Sequence, residues 1–236
     1  PAADFNHILN RCSDGNQQIL RPSHAVPVHR HNPLDGGHPL GEGLENCRKK
    51  PKTEIKIKPR SGEFKCVCFS MIYPVKGIDT VLLAAQQLPE VTFDFWGGIN
   101  EDYKAEFLST AEKLPNCKYR GVFKVDGDNV SHMLNGCYFL LFPTRCPREG
   151  VPGRVIEAKI AALPVISSDF SKNNKVVNDG KDAIILSETN SDTLAEAIKL
   201  LQSDDALLTK LKQGAKESGI HYYFENRIGE IISHLK

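Results

Sequence analysis

Nothing in the 236 residues approaches the ~20-residue apolar run that a membrane-spanning helix needs, and no secretory hydrophobic stretch lies near Pro1. An excess of one charge is missing too: 30 basic side chains face 29 acidic ones, so no global field argues for a nucleic-acid partner. The seven cysteines include no Cys-x2-Cys pair, and Cys66 and Cys68 are too close together to open a zinc site. No Gly-x-Gly-x-x-Gly follows the first predicted strand, which removes the fingerprint of hydride transfer. No internal repeat is visible, and residues 1–62 lack any sustained helical or strand period.

What those first 62 residues do hold is Pro, Gly, Asn, Lys and five of the eight histidines (His7, His24, His29, His31 and His38). The histidine spacing is irregular, so a polar segment without fixed structure is expected rather than a metal site. The basic run Arg48-Lys49-Lys50-Pro51-Lys52, continued by Lys56, Lys58 and Arg60, is a point of contact for anionic lipid or an acidic partner, with a solvated linker as the plainer reading. Cys66, Cys68, Cys117 and Cys137 fall in or beside predicted strands as small core residues, which suggests a reducing compartment and a cytoplasmic location, peripheral to a membrane at most.

From Glu63 onward strands and helices alternate. Strands are expected at Phe64–Met71, Val91–Gly97, Cys117–Phe123, Cys137–Phe142, Pro164–Ser168 and Ala183–Leu186. Helices are expected at Gly77–Leu88, Glu101–Leu114, Asp128–Leu134, Val155–Leu163, near Asn173–Asn178, and at Ser191–Gln202, Asp205–Ser218 and His221–Leu235. Short connections between them imply an α/β fold with a doubly wound parallel sheet, one domain over 63–236 behind a poorly patterned segment 1–62.

The densest stretch runs from Pro143 to Ala158, between two apolar runs, and reads as the loop and helix of a βαβ unit. Pro152 suits a first helical turn, and Gly150 and Gly153 let a ligand approach the backbone. A helix N-terminus at the carboxyl end of a parallel strand offers free N–H donors and about half a positive charge, a setting for phosphate. Glu157 falls inside an apolar helix, where its carboxylate needs donors: sugar or ribose hydroxyls, or a base such as Arg154.

The string Glu149-Gly150-Val151-Pro152-Gly153-Arg154-Val155-Ile156-Glu157-Ala158 resembles the Glu-x7-Glu signature of family 4 retaining glycosyltransferases, a large family in the glycosyl transferases group 1. Lys76-Gly77-Ile78-Asp79 and Val176-Val177-Asn178-Asp179-Gly180 extend the resemblance, which covers roughly residues 63 to 234. It implies the Rossmann-like, donor-binding C-terminal domain of the two-domain GT-B architecture. It places Glu149 on the donor sugar's hydroxyls, the amides of Gly150 and Val151 at the sugar and diphosphate, and Glu157 on the ribose. It also places Lys76 on the leaving diphosphate and Val122 and Phe123 at the nucleotide base. The family usually has an arginine where this chain has Met71, so either Arg145, Arg148 or Arg154 substitutes from the other side of the cleft or the site is weakened.

The resemblance implies no metal and no cofactor, a nucleoside diphosphate sugar as donor, and an acceptor glycan or lipid-linked sugar held by a separate domain or chain. The function expected is hexosyl transfer in glycan or polysaccharide biosynthesis by the donor-binding half of the enzyme, inactive alone if the acceptor domain is absent. A nucleotide-sugar-binding module without transfer and a nucleotide-sugar epimerase are the other readings.

Overall fold

The computed structural model describes residues 47–228 except 53, 58, 124–129, 131, 132, 135, 148, 171–174 and 227. These residues belong to one compact unit, Gly43–Lys236. The five histidines named above, most of the helix expected at Asp128–Leu134, Asn173, Asn174 and the end of the helix expected at His221–Leu235 lie outside them.

Six strands form one parallel sheet: β1 (Lys65–Phe69), β2 (Thr92–Trp96), β3 (Cys117–Gly121), β4 (Phe139–Phe142), β5 (Val165–Ser168) and β6 (Ala183–Leu186). Their order across the sheet is β3-β2-β1-β4-β5-β6. The chain builds one half outward from β1, then crosses over and builds the other outward from β4, the Rossmann arrangement. The helices are α1 (Ile78–Gln87), α2 (Glu101–Glu112), α3 (Gly153–Ile160), α4 (Ser191–Ser203) and α5 (Asp205–Gly219).

Period-two alternation feeds two cores. Cys66, Cys68, Phe139 and Leu141 point to one face, against Val81 and Ala85 of α1, Phe107 of α2 and Ile198 of α4. Val67, Phe69, Leu140 and Phe142 point to the other, against Val155, Ile156 and Ile160 of α3 and against Val130 and Leu134. A strand buried on both sides is why β4 reads Phe-Leu-Leu-Phe without a polar residue. Burying a side chain of that size contributes about 1.5–3 kcal/mol. The cysteines behave as core residues: burial pushes the thiols of Cys117 and Cys137 up to about 12. No described helix is long and apolar enough to cross a membrane.

Three helices start on a side-chain cap. Asn100 accepts from the Asp102 amide at 3.1 Å, Asn190 from the Asp192 and Thr193 amides at 3.1 and 2.9 Å, and Asp204 from the Leu207 amide at 2.8 Å. Helix α3 differs: its N-cap is Pro152, with no side-chain cap bond.

Candidate functional site

In a sheet of this order the crevice opens between the carboxyl ends of β1 and β4, where the winding reverses. The loop after β1 ends in a 3-10 turn, Pro74–Lys76, and Gly77 adopts φ +76° before α1. A Cβ at Gly77 would lie 2.1 Å from the Pro143 carbonyl oxygen, so only glycine lets this loop touch the one after β4.

Arg145 locks the contact. Its amide donates to the Val75 carbonyl at 2.8 Å, and its guanidinium reaches both Asp79 oxygens (2.6 and 2.7 Å), the Thr80 hydroxyl (2.7 Å) and the Pro74 carbonyl (3.1 Å). The sequence placed Arg145 among the ligand-binding residues. Its fork is instead spent on the start of α1, because Asp79 offers a bidentate partner at the positive end of that helix.

That strut sets Lys76 opposite Glu149. Their side chains form an ion pair at the mouth of the crevice, and Thr144, fully buried, donates to the same Glu149 oxygen at 3.3 Å. Thr144 is fixed in turn by Ser168 of β5, whose hydroxyl donates to its carbonyl at 2.6 Å. The two residues expected to act on the donor are thus brought together from opposite halves of the sheet.

Beyond Glu149 the chain is open. Gly150 is exposed, with nothing within 4 Å of where a Cβ would be. The amides of Gly150, Val151, Gly153 and Arg154 have no acceptor among the described residues. An uncapped helix start with free donors and the positive end of a macrodipole is suited to an anion. Arg148 lies outside the described residues.

Glu157, one turn into α3, is buried at 7% exposure and carries two guanidiniums: Arg154 at 2.8 Å on one oxygen and Arg48 at 3.3 Å on the other. Arg154 also lies 4.4 Å over the ring of Phe69 at the end of β1. Phe69 meets Phe123 edge-on at 6.3 Å, and Phe123 meets Trp96 at 5.7 Å. Phe123, expected at the base, is therefore part of an aromatic row along the crevice floor, whereas Val122 is 72% exposed. Met71, in the loop after β1, is 57% exposed and brings no charge.

Sequence reasoning missed two features. Arg48 lay in a lysine-rich run, and nothing local distinguishes it from a solvated base. The other is Lys159, buried on α3 and paired with fully buried Asp182 at 3.0 Å, its Nζ also donating to the Val176 carbonyl at 2.5 Å. Burial pushes the Lys159 ammonium below its usual range. Burial alone would push the Asp182 carboxyl up, but the Asn178 amide and side chain (2.8 and 3.1 Å) and Lys159 hold it below the usual carboxylate range. This pair ties α3 from behind and so fixes the direction of its N-terminus. A lysine between apolar Ala158 and Ile160 was the available signal. Among the described residues no group of three or more His, Cys, Asp or Glu is placed to hold a metal.

Comparison with known proteins agrees with this fold. A capsular polysaccharide biosynthesis glycosyltransferase of Staphylococcus aureus, CapH, is 34% identical over 113 residues, 48% of this chain and 31% of the relative. The chain thus spans about a third of the length of that curated relative. The crystal structure of Anabaena HepE in complex with UDP and glucose superimposes with a TM-score of 0.62 at 20% identity, over 72% of this chain and 48% of that one. The C-terminal domain of a glycosyl transferase group 1 family protein, LpcC of Francisella tularensis, gives 0.59 at 18% identity, over 69% of this chain and 88% of that one. The sheet is thus the Rossmann-like sheet of GT-B glycosyltransferases. The model of the glycosyl transferases group 1 matches residues 49–218, and the chain belongs to that family.

Proposed function

We propose that this chain is the donor-binding, C-terminal part of a family 4 retaining glycosyltransferase, using a nucleoside diphosphate hexose to extend a glycan or lipid-linked acceptor in polysaccharide biosynthesis. The observation that carries this reading is the meeting of Lys76 and Glu149 across the switch point, beside the uncapped start of α3. On this reading the diphosphate lies on the amides of Gly150 to Arg154, with Lys76 offsetting the charge that develops on the leaving group. Glu149 receives the sugar's hydroxyls, and Glu157 keeps acceptor capacity for the ribose beside its two guanidiniums. The base lies toward Val122 and Phe123.

Catalysis is then positioning and electrostatics, with the leaving diphosphate taking the acceptor's proton on the face it departs from, so that anomeric configuration is kept. No metal is assigned a role. The donor-binding domain is residues 63–236 on this reading, the acceptor being held by a separate domain or chain, without which transfer fails. A location at the cytoplasmic side, peripheral to a membrane, fits a lipid-linked acceptor. The match to a C-terminal domain over 88% of its length supports the assignment to that half. One observation favours a second reading, a nucleotide-sugar-binding module without transfer: exposed, uncharged Met71 in the loop after β1.

Calorimetric titration of UDP, GDP and ADP sugars, and of the matching diphosphates, tests the site. Glu157→Ala is expected to weaken the diphosphate and its sugar alike, by about tenfold or more, and Glu149→Ala to weaken only the sugar conjugate. Binding of none of them, or equal losses in both variants for both ligands, would refute the assignment. Donor turnover by the chain alone would count against the half-enzyme reading.

A further inference from the structure

Thr144 reaches the crevice from inside the protein. It follows Pro143, whose carbonyl oxygen packs against Gly77, and precedes Arg145, whose amide and guanidinium are tied to Val75 and Asp79. Its own carbonyl accepts from the Ser168 hydroxyl at 2.6 Å, so the backbone here is pinned on every side. The side chain is fully buried, and its hydroxyl has one proton to give. The Cys146 amide donates to that oxygen at 3.2 Å, and the proton goes to Glu149 Oε2 at 3.3 Å, its only acceptor among the described residues. Glu149 stands in a loop that is open from Gly150 onward, and its amide bond to the Cys146 carbonyl at 3.1 Å fixes its backbone rather than its carboxylate.

Lys76 meets the same Oε2 from across the crevice. The two contacts differ in kind. Lys76 is a point charge on a flexible stem, and in the reading above it serves the diphosphate, so its hold on Glu149 loosens as the ligand arrives. The Thr144 bond comes from the buried side, away from the phosphate and from competing water, and lasts through that exchange.

We propose that Thr144 is a positioning residue for sugar recognition: from behind the crevice it sets the direction of the Glu149 carboxylate while Lys76 turns to the diphosphate. The inference rests on the nucleotide-sugar reading of the site and adds to it a residue outside the Glu-x7-Glu string, one that touches neither sugar nor phosphate. A threonine serving only the turn with Cys146 predicts a different outcome, since that turn supports the whole loop and with it both parts of the ligand.

The test is calorimetry on the full chain with UDP-glucose, GDP-mannose and ADP-glucose and with UDP, GDP and ADP, comparing wild type with Thr144→Val, Thr144→Ser and Thr144→Ala. Val removes the hydroxyl and keeps the branched shape, and Ala removes it relative to Ser, so one comparison remains if a variant of the other fails to fold. For the hexose conjugate that wild type binds, each variant without the hydroxyl is expected to lose about tenfold in affinity against its Thr or Ser counterpart, with the matching diphosphate within about twofold. Equal losses for conjugate and diphosphate would overturn the proposal, because Thr144 would then support only the loop. Unchanged affinity for the conjugate would overturn it as well. Wild-type protein that binds no hexose conjugate, or a Glu149→Ala variant with no selective loss of the conjugate, would sink the functional reading and this inference together. A selective loss in Glu149→Ala with none in Thr144→Val and Thr144→Ala would sink this inference alone.

Discussion

With Arg48 on one oxygen and Arg154 on the other, Glu157 is held in a single orientation before any ligand arrives, and its burial keeps water from competing. The Lys159–Asp182 pair anchors the same helix two residues further along, where removing one partner would strand a buried charge. Asp182→Asn is expected to cost about 3–5 kcal/mol in urea unfolding, as for other buried pairs broken on one side. The pH dependence follows from the lowered Asp182 carboxyl. Its folded value lies below the unfolded value of 3.8, so its contribution is present above that pH and is lost as pH falls through the folded value. Unfolding free energy measured from pH 6 downward should therefore fall below about pH 4, and the Asn variant should lose this part of the acid dependence. At this scale the sequence was legible where spacing carried meaning. Lys76, Glu149 and Glu157 stand at the crevice, but Arg145 is turned to Asp79, a pairing between residues far apart in the chain that no spacing encodes.

Elements were read well where burial and pairing coincide and too long where apolar residues outlast the ladder. β6 has the expected bounds, and the helices at Ile78, Glu101, Ser191 and Asp205 begin within a residue of expectation. β1 stops at Phe69 rather than Met71, and β3 at Gly121 rather than Phe123. The overrun residues Met71 and Val122 are hydrophobic but exposed, so they continue the pattern without continuing the sheet. The helix expected at Val155 begins at Gly153, immediately after Pro152. The decisive element contact is between the loops after β1 and β4. Gly77→Ala combines a left-handed φ with a 2.1 Å approach to the Pro143 oxygen. About 1–3 kcal/mol of destabilisation is expected from the backbone conformation alone, and more as the loops part. Urea unfolding measures this, and loss of diphosphate binding should accompany it because Lys76 and Glu149 would separate. A fully stable Ala variant would show that the loops do not need this contact.

Across the whole molecule, alternation of strands and helices made a doubly wound parallel sheet legible, since the central strands β1 and β4 are apolar on both faces and the connections are short. The order β3-β2-β1-β4-β5-β6 was not legible, because it depends on which strands pair across long separations. That order is what gives the Glu-x7-Glu string its meaning: it brings the loop after β1 beside the loop after β4 and aims the uncapped start of α3 at the space between them. The most direct measurement is of backbone amide chemical shifts in isotope-labelled protein as UDP, GDP or ADP is added. The account predicts that the largest changes fall at Gly150, Val151, Gly153 and Arg154, with Lys76 and Gly77 next. Changes confined to other parts of the sheet's edge, with the start of α3 unmoved, would contradict it.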